Sequence, residues 1–267
     1  MTDEGSSGDA NPELDAFHKN CSEALAELFQ LAKEKEELQF AMALNPEMRG
    51  MQDAGWNTAR EAMAALEEYL ELIAAIPPEN RIRVRVGLSL YAHLSEASGF
   101  YEVPKNMLRI ASGEDYNLWP FQNLVRRRAI DGAVISPNAN KVMQDLLGHA
   151  AELGLENLNR VIVEAFDPDL RNGYAHADYV IWDDGIRLRK RNGGYPSVVG
   201  FEEFTLKLNK AISFFHLLQE LILSSVRSYS PPKRVVGRMN NRAAALPSII
   251  AYDEEAGEFS ISTGMHL

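Results

Sequence analysis

The stretch FEEFTLKLNKAISFFHLLQELILSSVRSY, residues 201–229, decides the fold class. Its apolar residues recur every three or four positions, with Phe204, Leu208, Ile212, Phe215, Leu218 and Ile222 on one stripe. That period belongs to an amphipathic helix whose stripe faces a core, and Pro231-Pro232 ends it. Two further stripes of the same period lie upstream. Asn11-Pro12-Glu13 reads as a helix start, an Asn cap followed by proline and an acid. Leu14, Phe17, Cys21, Leu25, Leu28 and Leu31 follow, with a stop near Asn45-Pro46. The next helix is expected from about Met51 to Ile76, with Ala62, Leu66, Tyr69 and Ile73 on its stripe. Two long acidic helices in succession predict an antiparallel helical hairpin.

Arg81 to Ala97 fits two periods. Arg81-Ile82-Arg83-Val84-Arg85-Val86 alternates as a strand does, yet Ile82, Val86, Leu90, His93 and Ala97 make a helix stripe without a break. The longer pattern favours helix. Gly99, Pro104, Gly113 and Pro120 predict short helices and loops over residues 99–136, and helices are expected from Ser136 to about Leu153 and from Glu156 to Phe166. Tyr179 to Arg189 reads as a hairpin around Asp183-Asp184-Gly185, and Ser248–Tyr252 with Phe259–Ser262 as a second. The organisation expected is a flexible tail over 1–10, an acidic N-terminal helical hairpin over 11–80, a helical core over 81–230 packed with it as one domain, and a C-terminal extension over 231–267.

The net charge of −11 is unevenly spread over the 267 residues. Residues 1–80 carry 5 Lys or Arg against 17 Asp or Glu, whereas residues 81–267 carry 22 against 21. Basic clusters lie at Arg126-Arg127-Arg128, at Arg187, Arg189, Lys190 and Arg191, and at Lys233, Arg234, Arg238 and Arg242. Local charge sets the field a phosphate meets within a Debye length, so an acidic chain can still hold a basic groove. The first two arginine clusters are the candidate substrate contacts; a solvated surface is the alternative. The acidic, polar start of the chain lacks the basic and apolar regions of a secretory signal. No run approaches the roughly 20 apolar residues of a membrane span. Cys21 is the one cysteine, which excludes an internal disulfide and a cysteine-rich zinc site. A cytoplasmic protein without membrane contact is expected. There is no Gly-rich phosphate loop, Walker lysine or Gly-x-Ser-x-Gly elbow.

The segment that carries chemistry is Arg171-Asn172-Gly173-Tyr174-Ala175-His176, directly after the helix start Asp167-Pro168-Asp169. With 18 Arg and 6 His in the chain, chance supplies roughly 0.4 Arg–His pairs at this spacing, and roughly 0.03 with Asn after the arginine. An imidazole titrates near neutrality and can move protons, while a guanidinium stays charged and matches two phosphate oxygens. On a helix Asn172 and His176 lie within about 40° of each other, but Arg171 stands about 140° from His176. Asn172 is therefore placed to orient the imidazole, and an arginine from one protomer serving the histidine of another eases the mismatch. The alternative pairs Arg171 with Asp167 or Asp169 and satisfies His176 inside the bundle.

This arrangement resembles the HEPN superfamily (higher eukaryote and prokaryote nucleotide-binding domains), helical bundles with an Arg-x4-6-His signature near the last long helix. Arg171, Asn172 and His176 stand at the signature positions, within a resemblance spanning about residues 50–230. It implies a mainly all-α fold, a HEPN-like helical bundle, to which the residue pattern adds a small β-hairpin insertion after the motif and a short C-terminal β-hairpin. Neither hairpin belongs to the minimal family bundle. It further implies a metal-independent endoribonuclease without cofactor, acting on RNA as a homodimer, often as a toxin or anti-phage defence component with an antitoxin protein as partner. Non-catalytic nucleotide- or RNA-binding and protein-interaction modules are the other fate of the family. A polar residue from an earlier helix commonly joins the family's site, which makes Glu96 and His93 accessory candidates; a polar pair bonded within the core is the alternative. His-x-x-Glu also suits a metal, but a bundle metal site needs further such pairs. Tyr179 is placed either to stack on a base or to pack on the hairpin.

Overall fold

Side-chain caps open several of the helices, and the computed structural model describes residues 11–45, 57–190 and 193–264. Asn11 Oδ1 accepts from the backbone N–H groups of Glu13 and Leu14 and opens α1, Pro12–Lys35. The chain then straightens at Glu36 (φ −157°, ψ 92°) and resumes as α2, Glu37–Leu44. One unbroken helix was expected here. The break is tertiary in origin: every residue from Leu38 to Leu44 is buried, and a helix enclosed on all sides cannot continue the one-sided stripe of α1.

Next come α3, Thr58–Ala75, α4, Arg81–Glu96, and α5, Ser98–Ala111. The start expected at Met51 lies outside the described residues. Helix wins over strand in α4, although Ile82, assigned to the buried stripe, is exposed. α5 is continuous through Gly99 and Pro104, where short helices and loops were expected. Burial of Phe100, Tyr101, Met107, Leu108 and Ile110 outweighs the hydrogen bond that proline forfeits.

The arginine cluster at 126–128 falls on an unexpected two-residue ladder, β1, Arg126–Arg127, against β2, Val134–Ile135. Asn138 caps α6, Ala139–Glu152, followed by α7, Glu156–Ala165, and α8, Pro168–Ala175. The hairpin after the motif gains a third strand: β3, Tyr179–Trp182, β4, Gly185–Leu188, and β5, Ser197–Val199 lie antiparallel in that order. α9 spans Phe201–Arg227. The C-terminal hairpin is likewise a three-stranded sheet, because β6, Lys233–Gly237, joins β7, Leu246–Asp253, and β8, Glu258–Thr263. Among the described residues no helix is long and apolar enough to cross a membrane.

The long helices do not pair as the sequence suggested. α1 packs against α5, α7 and α9, whereas α3 packs against α4 and α5. Lys210 of α9, 6% exposed, ties this centre together through Glu13 at 2.7 Å and Glu164 at 3.0 Å. An aromatic block fills the middle: Phe100 stacks on Phe215 at 4.2 Å, with Tyr101 edge-on to Phe215 and Phe166. Such pairs add about 0.5–1.5 kcal/mol each beyond their area. The C-terminal sheet lies on α2, where Gly237 approaches so closely that a Cβ there would stand 2.5 Å from Leu38 Cβ. Glu37 fastens the sheet by accepting from Lys233 Nζ and the Tyr229 hydroxyl.

Candidate active site

The motif sits on α8, a helix of only two turns, so its placement depends on how both ends are held. At the start Asp167 Oδ1 accepts from the N–H groups of Asp169 (2.9 Å) and Leu170 (3.2 Å). The buried Tyr91 hydroxyl of α4 donates to Ala165 O and accepts from Asp167 N–H, which fixes α8 against α4. Burial pushes that phenol well above its ordinary range, so it remains a donor. Leu170 is fully buried beneath the first turn. Gly173 lies flush on β4, with Leu188 Cδ2 2.7 Å from where a Cβ would be.

The far end closes in a Schellman motif. Ala177 N–H donates to Tyr174 O at 3.0 Å and Asp178 N–H to Gly173 O at 2.8 Å, with Ala177 left-handed at φ 53°. An alanine at a position that favours glycine is strained, and it directly follows His176, the exposed C-cap residue. The imidazole is thus carried at the tip of the helix.

Arg171 is held differently. Its side chain is 12% exposed and forms an ion pair with Glu96 at the end of α4. Nη1 donates to Asn172 Oδ1 at 2.7 Å, and Nε is buried without a partner among the described residues. Burial lowers the guanidinium pKa from its ordinary value. Arg171, Asn172 and His176 all line one cleft of about 520 Å³, together with Asp169, Asp178, Arg189 and Lys190.

The cleft joins the three signature residues but rearranges their partners. Asn172 bonds Arg171, where orientation of His176 was expected. Among the described residues the His176 ring makes no hydrogen bond. Arg171 meets Glu96 and neither Asp167 nor Asp169; Asp167 Oδ2 instead receives Lys207 Nζ at 3.0 Å. Glu96 therefore joins the site through Arg171. His93 does not line the cleft: its ring lies 6.1 Å from that of Tyr69, and its Nε2 is buried without a hydrogen bond among the described residues. Tyr179 stacks on Tyr174 at 6.0 Å and its hydroxyl accepts from Arg85, outside the cleft. Arg187 pairs with Asp184 at 3.0 Å on the outer face of the sheet. Arg126, Arg127 and Arg128 stand exposed on the β1–β2 ladder, with Arg128 paired to Asp131, and none lines the cleft. Arg191 lies outside the described residues. Asn138, Asn140 and Ser197, at the start of α6 and of β5, line the cleft without having been anticipated, because isolated short polar residues at element ends carry no periodic signal.

No family model, no curated protein and no solved structure matches the chain. A cation backed by a carboxylate, an exposed imidazole and two flanking basic residues suit an anionic substrate that exchanges protons.

Proposed function

We propose that the chain is a metal-independent endoribonuclease of HEPN type that cuts single-stranded or looped RNA and works as a homodimer. One observation carries the reading: a half-buried, braced Arg171 and an exposed His176 open into one cleft edged by Arg189 and Lys190. An imidazole takes the proton of the 2′-hydroxyl as that oxygen bonds to phosphorus. The bond from phosphorus to the 5′ oxygen breaks, and a protonated imidazole supplies the proton to the leaving oxygen. The products are a 2′,3′-cyclic phosphate and a 5′-hydroxyl. Two imidazoles in opposite protonation states perform the two transfers, and a two-fold dimer with its motifs near the axis supplies both. Arg171 meets the charge that builds on the phosphorane oxygens. In this reading the chain serves as a toxin or anti-phage component held in check by an antitoxin protein.

Incubating pure protein with end-labelled linear and hairpin RNA in chelator tests this. His176→Ala lowers the cleavage rate roughly 10²–10⁴-fold, Arg171→Ala by a comparable factor, and Arg171→Lys restores only part. Intact RNA with the wild type, or cleavage unchanged in His176→Ala, refutes the enzyme. A fully active monomer in sedimentation refutes the shared site. A second reading, a binding module without turnover, is favoured by the Arg171–Glu96 pair, which already neutralises the cation. RNA binding without cleavage identifies it.

A further inference from the structure

Strand geometry sends alternate side chains of β3 to opposite faces. Ile181 points into the core, while Val180 and Trp182 are 55% and 52% exposed. The register sets Val180 opposite Arg187 and Arg187 opposite Val198, so these residues share the outer face with Trp182. Arg187 lies 5.2 Å from the Trp182 ring centroid. An aromatic and aliphatic floor edged by cations is therefore open to solvent.

This face is continuous with the motif's cleft. A groove of about 430 Å³ crosses Val180, Trp182 and Arg187, and its remaining wall includes Asp178, Arg189 and Lys190. The same three residues wall the cleft of Arg171 and His176. On the other side Val180 and Trp182 border a depression of about 560 Å³ with Arg81 and Arg85 of α4. Five basic residues thus flank the outer part of this path against Asp178, Asp183 and Asp184, leaving a cationic excess along it.

We propose that the outer face of β3–β5, with the first turns of α4, is a docking track for single-stranded RNA leading into the cleft, with Trp182 stacking on a base. The assignment of the strand to RNA that is cut rests on the ribonuclease reading. The chemistry favours an unpaired strand, because a duplex hides the base faces that an exposed indole can cover, whereas aromatic side chains in basic grooves bind single strands with little sequence preference. Arg81, Arg85 and Arg187 meet the phosphates beyond the scissile one. The signal in the sequence was the alternation Tyr179-Val180-Ile181-Trp182, which pairs Val180 with Trp182 but leaves open which face meets water.

The test is anisotropy of a fluorescent oligouridine of about a dozen 2′-O-methyl nucleotides, which cannot be cut through its 2′ oxygen. Trp182→Ala weakens binding roughly tenfold and Trp182→Phe much less, since stacking is worth about a factor of ten per base. The double variant Arg81→Gln, Arg85→Gln weakens binding and lowers the salt slope by roughly 1–2. Unchanged affinity in Trp182→Ala overturns the track. So does a dimer that becomes a monomer in Trp182→Ala while each protomer binds as before, because the face then belongs to a second copy. Trp182-dependent binding with no RNA cleavage leaves the track standing and removes the ribonuclease. Cleavage indifferent to Trp182 does the reverse.

Discussion

Replacing Glu96 by Gln removes the carboxylate that meets Arg171 between α4 and α8, and the geometry bounds the cost. The arginine side chain is 12% exposed, and among the described residues its Nε has no partner and Asn172 Oδ1 at 2.7 Å is what remains. Glu96 is 43% exposed, so water screens the pair on that side. An exposed pair contributes about 0–1 kcal/mol and stranding a buried one costs about 3–5 kcal/mol. One half-buried partner and one screened partner set the loss between these limits, at about 1–2 kcal/mol. For a chain of this size that lowers Tm by roughly 2–4 °C. Urea denaturation of wild type, Glu96→Gln, Arg171→Met and the double variant gives the coupling directly. With both charges gone no guanidinium is stranded, so the double variant recovers part of the summed loss. Additivity within about 0.5 kcal/mol refutes the coupling. Under the ribonuclease reading Glu96 is a positioning residue, and Glu96→Gln slows cleavage while oligonucleotide affinity holds.

Ala177→Gly relieves a left-handed alanine in the Schellman turn and raises stability by about 0.5–1 kcal/mol in chemical denaturation; a loss instead shows that the strain is absent. Gly173→Ala drives a Cβ to 2.7 Å from Leu188, itself 3% exposed, and costs about 1–3 kcal/mol of overpacking, partly offset by better helix propensity; a neutral result means that β4 yields. Burial pushes the Cys21 thiol from 9.0 up to about 12. Native protein therefore resists iodoacetamide at about pH 8 until urea is added, and the folded state loses this group's contribution as pH rises across that window. Burial, then the Lys105 ammonium, hold the His149 imidazole below its ordinary value of 6.5. The unfolded chain gains that proton first, so stability present above 6.5 is lost as pH falls through the folded value. His149→Gln loses less than wild type between about pH 7 and pH 5 in urea midpoints, and parallel losses exclude His149 as the cause.

Much of this architecture was legible from local rules. Asn11, Asn138 and Asp167 cap helices because their side chains bond the next backbone N–H groups without help from the rest of the chain. The stripe Phe204-Leu208-Phe215-Leu218 is buried because its period matches the helix. The motif likewise announced its helix and grouped Arg171, Asn172 and His176. What the sequence could not carry was anything set by a distant surface. The break at Glu36 precedes a helix that α5, α9 and β6 enclose, the last of them nearly two hundred residues away in the chain. β5 has three residues and β6, Lys233-Arg234-Val235-Val236-Gly237, does not alternate, so neither shows a strand period and each is defined by its pairing with β4 or β7. Glu96 and His93 share a helix with nothing local to rank them, and only the approach of α8 to α4, fixed by Tyr91, gives Arg171 to Glu96. Periodicity and capping are properties of neighbours in sequence; partner choice depends on which faces meet once the core has closed.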